Sequence, residues 1–328
     1  HEILVRKILS EALTTAHWDI NGIGVMLPPF TKAKRQAEYL AALPDQLHEY
    51  FPQVRDITER ILQTVDNKGN KSFNRELIYE MTYIEGLEVG QYVYKYSPPT
   101  AVIARLYEVI LNFIHKNVHN NRCVSSPGDT LEEQYYRKIE DRLTLCRQTA
   151  PETFSSGILD TDEIIINGNY YRNYRKLLSE FRGNPDYARI LEPHMHTLVI
   201  GDTNTENIKI GDVSPLENAS HCIRVNKDDA DIQEALNKIT PESINLKFLD
   251  PRAIGFQSEG AGTVDDPMYD NKPWHNSIGH YDEMHNEMFD LNISIDNDSI
   301  PKVSIIFHKD NPYQKVYQIR DVTEHGYD

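Results

Sequence analysis

The chain has 328 residues, 39% of them hydrophobic and 26% charged, a composition that suits one large globular domain or two lobes with a sizeable buried core. Its 50 Asp and Glu against 34 Lys and Arg leave a formal net charge of -16, which repels a phosphate backbone and an anionic membrane surface and so argues against nucleic acid and membrane as partners. Cys123, Cys146 and Cys222 are odd in number and lack CxxC spacing, which argues against a disulfide framework or structural zinc and points to a reducing, cytoplasmic setting. No apolar run approaches the roughly 18 residues that a membrane span needs.

In chain order, Ile3 to Leu9 reads as a buried strand, apolar on both faces apart from Arg6-Lys7. Lys32 to Leu43 places Ala33, Ala37, Leu40 and Ala41 at helical spacing, and Pro44 ends that helix. Phe51 to Val54 and Ile57 to Val65 read as extended segments, Asp66 to Asn70 as a turn, and Glu76 to Ile84 as a strand. From Pro98 the pattern turns helical, with Val102, Leu106, Val109, Ile110, Phe113 and Ile114 in one stripe, a further helix over Leu131 to Cys146 and another over Tyr170 to Phe181. Thr197 to Ile200 is a short apolar strand feeding a polar loop. Ile208 to Ile210 and Leu246 to Leu249 are short strands separated by an insertion that carries a helix near Asp231 to Ile239. No internal repeat is visible.

Two polar loops follow apolar strands: Gly201-Asp202-Thr203-Asn204-Thr205-Glu206-Asn207, and Leu249-Asp250-Pro251-Arg252, with Asp250 lying 43 positions after Asn207. An Asp and an Asn at D-x4-N spacing, with a later Asp at a strand end, supply what phosphoryl transfer needs. One carboxylate orients the acceptor hydroxyl, and an amide with a second carboxylate holds magnesium. The alternative for such a loop is an Asx-rich turn capped by its own side chains.

Val199 to Ile208 resembles the H-G-D-x4-N-I loop of the aminoglycoside phosphotransferase and choline kinase-like family, and Leu246 to Arg252 resembles the I-D-P-R form of that family's metal-binding strand end, as in capsule- and polysaccharide-associated members. Asp265 to Asp270 is similar to the family's G-D-P-x-Y-D segment, and Leu77 to Gly86 to the strand and hinge between lobes. The resemblance implies an α+β, two-lobed protein-kinase-like fold, with an N-terminal lobe over 1–85 and a larger, mainly helical lobe over 86–328. It implies ATP or GTP with Mg2+ as cofactors and transfer of the terminal phosphoryl group to a hydroxyl of a small-molecule acceptor, a sugar or an amino alcohol. Asp202 would be the catalytic residue, Asn207 and Asp250 the metal ligands, Lys7 the lysine on the nucleotide phosphates and Glu38 its ion-pair partner. The hinge at Glu80, Met81, Thr82 and Tyr83 would bind the base.

The family's histidine two residues before the catalytic Asp is Ile200 here, which removes the usual buttress of that loop. Only six residues precede Lys7, so the N-terminal lobe is expected to be partial and the chain part of a larger polypeptide. These departures keep open a second expectation, a nucleotide-binding pseudokinase or regulatory domain with weak catalysis. A metal site at His275, His280 and His285 is disfavoured because residues five apart do not share a helix face. A calcium loop at Asp202 fails because Asn207 stands at the glycine position and Val213 at that of the bidentate acid.

Overall fold

The computed structural model describes residues 2–11, 19–20, 23–24, 29–251, 264–295 and 300–315. It is an α+β protein with several small, mostly antiparallel sheets. The chain divides into two units, one made of 1–124, 197–282 and 312–328, the other of 125–196 and 283–311. Both polar loops, the opening strand and the Leu77 to Gly86 segment belong to the first. Among the described residues no helix is long and apolar enough to cross a membrane.

The first unit opens with a three-stranded antiparallel sheet in the order β1 (Leu4–Ser10), β3 (Lys71–Thr82), β2 (Val54–Val65), packed on helix α1 (Pro29–Ala41). Pro29 starts the helix where its missing N–H costs nothing. Phe30, Ala33 and Ala37 recur at helical spacing and close a core with Leu77 and Tyr79, flanked by Leu9 and Met81; each large side chain so buried stabilises by about 1.5–3 kcal/mol. β1 is not apolar on both faces as its composition suggests. Val5, Lys7 and Leu9 are half-buried on the α1 side while Arg6 and Ile8 are exposed, because side chains alternate along a strand and only one face of this sheet is covered. Lys7 therefore points inward.

The β2–β3 hairpin turns at Asp66 to Asn70. The Asp66 carboxylate accepts from the Lys68 and Asn70 amides, both at 2.8 Å, and Gly69 supplies the left-handed backbone at φ 82°. After the hairpin, Gly86 sits at φ 135°, where an added Cβ would lie 2.6 Å from the Ile210 carbonyl oxygen. Only glycine permits this approach, and it lets Leu87–Glu88 pair with strand β4 (Ile208–Ile210), which pairs on its other edge with β5 (Leu246–Phe248). Helix α2 (Val89–Tyr96) is followed by α3 (Thr100–Phe113), whose Val102, Ile103, Leu106, Val109 and Ile110 are buried. The insertion between β4 and β5 holds two helices, Ser214–Arg224 and Asp229–Asn237, where the sequence pattern marks one.

In the second unit a four-stranded sheet runs Phe289–Ser294, Lys302–Phe307, Glu163–Ile166, Asn169–Arg172, with one parallel pair among antiparallel ones. Here the expected helix from Tyr170 is corrected. Asn167 and Gly168, at φ 49° and 84°, form a tight hairpin turn, the geometry that Asn-Gly favours. Tyr170 to Arg172 are therefore strand, and the helix begins only at Tyr174, capped by the Asn173 side chain.

Candidate functional site

Strand Met195–Leu198 carries the chain into the buried Val199 and Ile200 and then into the loop holding Asp202 and Asn207. Gly201 takes φ 85°, and its amide and that of Ile200 share one acceptor. Both donate to the fully buried carboxylate of Asp270, Ile200 to Oδ2 at 2.8 Å and Gly201 to Oδ1 at 2.6 Å, and Thr203 Oγ1 donates to the Asp270 carbonyl at 3.1 Å. His119 Nε2 donates to Asp270 Oδ2 at 3.1 Å, while His115, one helical turn earlier, reaches Asn271 at 2.9 Å. The buttress that Ile200 cannot provide thus comes from Asp270, held in turn by a histidine from the end of the α3 segment.

Asp202 is 2% exposed. Its Oδ1 accepts from Asn204 Nδ2 at 3.0 Å and from the ammonium of Lys272, at the start of helix α4 (Lys272–Ile278). Asn276 on α4 donates to Asn204 Oδ1 at 3.2 Å, and Asn207 Nδ2 spans the loop to the Asp202 carbonyl at 2.9 Å. Thr205 donates to Asp282 at 2.6 Å and Tyr281 to Glu206 at 2.8 Å; burial, with Glu206 beside it, holds the Tyr281 phenol well above its ordinary range.

The second loop is tied to the first through the backbone, since the Leu249 amide donates to the Asn207 carbonyl at 2.7 Å. Asp250 follows in the left-handed region at φ 48° and accepts from Lys7 Nζ at 2.9 Å. Burial alone would lower the Lys7 pKa, but Asp250 and Tyr79 together outweigh it and the net direction is upward. Lys7 also donates to Gln36 Oε1 at 3.1 Å. Glu38, the expected partner, is exposed and is replaced in that place by Gln36. Two residues on a helix differ by about 200°, so Glu38 faces away whenever Gln36 faces the sheet.

At the hinge, Glu80 pairs with Arg6 at 2.7 Å, Thr82 N–H donates to Gln53 O at 3.0 Å, and Tyr83 N–H donates to Ile3 O at 2.9 Å. Met81 packs on the α1 core. The structure thus joins Lys7 with Asp250, Asn207 with Asp202, and the two loops with each other, and leaves Glu38 apart. Arg252 lies outside the described residues. Sequence reasoning missed Gln36, Lys272, His115 and His119. Gln36 was findable as the polar residue within the Ala33-Ala37-Leu40 stripe, and the histidines by their spacing of four.

Among the described residues no three His, Cys, Asp or Glu side chains form a metal-holding group. Magnesium asks for less, since it keeps waters and takes one or two protein oxygens beside substrate phosphates; Asp250 and Asn207, at the ends of β5 and β4 that the Leu249–Asn207 bond ties, are the residues that could hold it. In comparisons with known proteins, no family model, curated sequence or solved structure matches the chain.

Proposed function

We propose that the first unit binds a magnesium nucleotide, ATP or GTP, and transfers its terminal phosphoryl group to a hydroxyl of a small molecule, in the manner of the kinase-fold phosphotransferases that its motifs resemble. The observation that carries this reading is the 2.9 Å contact between Lys7 and Asp250. These residues are 243 apart in sequence; phosphoryl transfer needs both a lysine on the phosphates and a carboxylate on their metal, and this contact supports the reading by bringing the two candidates for those tasks together. In this reading β1, α1 and the hairpin form the smaller lobe and the helices and loops after Gly86 the larger one, acting in the cytoplasm with Cys123, Cys146 and Cys222 as thiols.

Magnesium, when bound, would supply positive charge against that of the phosphates. Asp250 and Asn207 would hold it, and Lys7 would turn part of its charge from Asp250 to the phosphate oxygens. Asp202 would accept or orient the proton of the acceptor hydroxyl, its carboxylate aimed by Asn204 and Lys272 and its loop fixed by Asp270. With the Thr82 and Tyr83 amides committed to Gln53 and Ile3, the base would rest on carbonyls of the hinge and on the residues just after it. The acceptor would lie near Asp202 and α4.

The test is phosphoryl transfer from radiolabelled ATP and GTP to a panel of neutral sugars, amino alcohols and sugar phosphates. Transfer to at least one acceptor, lowered about 100-fold or more by Asp202→Asn as for loss of a general base, supports the reading. Transfer that is indifferent to that substitution sinks it.

A further inference from the structure

Gln36 is buried at 7% exposure, and its amide uses its whole hydrogen-bonding capacity. Oε1 accepts from Lys7 Nζ at 3.1 Å and from the Tyr79 hydroxyl at 2.6 Å; Nε2 donates to Asp250 Oδ1 at 2.8 Å and to the Pro251 carbonyl at 2.9 Å. The amide orientation is set by chemistry, because the flipped form would turn its NH2 on an ammonium and its oxygen on a carboxylate and a carbonyl. One side chain of α1 thereby ties together β1, through Lys7, β3, through Tyr79, and the loop after β5, through Asp250 and Pro251.

We infer that Gln36 is a positioning residue of the magnesium-nucleotide site, holding the phosphate-directed lysine and the metal-directed carboxylate in register through one neutral amide. This rests on the phosphotransferase reading and adds to it a residue that the resemblance does not contain, since the resemblance assigns a helix carboxylate to this task. A carboxylate at position 36 could accept from Lys7 and Tyr79. It has no proton to donate to Asp250 or Pro251, and it would set two negative charges against each other. The neutral amide accepts from the cation on one side and donates to the anion on the other. It also bridges the side chain of Asp250, whose backbone is left-handed at φ 48°, to the carbonyl of the next residue.

The test has two readouts. In the absence of nucleotide, Tm is measured for the parent chain, Gln36→Glu, Asp250→Asn and the double variant. Gln36→Glu is expected to lower Tm, and Asp250→Asn in that background to recover most of the loss, because the amide it introduces can donate to the new carboxylate; additive effects would overturn the proposed contact. Calorimetric titration with ATP at graded magnesium then compares the parent chain, Gln36→Met and Asp250→Asn. Gln36→Met, close in volume, is expected to weaken affinity roughly tenfold and to raise the magnesium needed for half-saturation, by analogy with the loss of an outer hydrogen-bonding partner at a metal site. Binding by Gln36→Met within about twofold of the parent, with Asp250→Asn impaired, would overturn the role of Gln36 and leave the nucleotide reading standing; absence of magnesium-dependent binding by the parent chain would overturn both.

Discussion

Replacing Asp270 tests the buttress of the Asp202 loop. The carboxylate is fully buried and accepts from two backbone amides and one imidazole. Asp270→Ala leaves the Ile200 and Gly201 amides without an acceptor in the interior, each at a cost of about 1–3 kcal/mol, with a smaller loss at His119. The sum, roughly 3–6 kcal/mol, is a large share of the 5–15 kcal/mol that typically holds a domain together. Asp270→Asn keeps the shape and one carbonyl-type oxygen, so one amide stays paired while the other faces an NH2, and the expected loss is about 2–3 kcal/mol. Introducing at this position, by Ile200→His, the histidine of the family that the motifs resemble is expected to destabilise rather than help, because residue 200 is 1% exposed and a buried imidazole needs partners for its polar atoms. Guanidinium unfolding followed by intrinsic fluorescence measures all three. An Asp270→Asn variant within about 0.5 kcal/mol of the parent chain, below the cost of one orphaned amide, or an Ile200→His variant as stable as the parent, would refute the reasoning.

Gly86→Ala is expected to cost at least about 2 kcal/mol, the sum of a positive φ and a Cβ 2.6 Å from the Ile210 oxygen; thermal unfolding checks it, and a neutral result would mean that the Leu87–Glu88 ladder is not as described. Lys272→Met removes the cation beside the buried Asp202 carboxylate and is expected to cost on the order of 2 kcal/mol, most of it recovered in the double variant with Asp202→Asn, as a double-mutant cycle in urea would read. Burial, together with Glu242 and Glu49, raises the Tyr50 phenol from its ordinary 10.0 to about 12. A raised folded-state pKa stabilises fully below the unfolded value and is lost as pH climbs through the folded one, so Tm should fall between pH 10 and about 12. Tyr313, raised to about 12 as well, adds to the fall, so Tyr50→Phe should lessen it, and an unchanged profile would contradict the reasoning.

Elements whose periodicity is local were legible in the chain: α1 from its alanines, α3 from its apolar stripe, the β2–β3 hairpin from its Asp-Asn-Lys-Gly-Asn turn. The polar loops were legible because short apolar strands precede them, and the structure ties their Asn207 and Leu249 backbones as strand neighbours. What escaped was long-range or out of phase. Glu38 matched the family pattern, but the helical phase of α1 turns Gln36 inward. Lys272 and Asp270 meet the Asp202 loop across about 70 residues, and His119 meets Asp270 across 151, separations that no spacing rule reads. Tyr170 and Tyr171 lie next to a helical stretch, yet the Asn167-Gly168 turn claims them for a hairpin.

The central claim, that Lys7 and Asp250 converge on a magnesium nucleotide, is tested most directly by calorimetric titration of ATP and GTP, with and without magnesium, into the parent chain, Asp250→Asn and Asp202→Asn. The account predicts magnesium-dependent binding of at least one nucleotide, weakened roughly tenfold or more in Asp250→Asn through loss of a metal ligand and changed less than about twofold in Asp202→Asn, which faces the acceptor. Binding that is equal in the parent chain and Asp250→Asn, or no magnesium-dependent heat with either nucleotide, would contradict it.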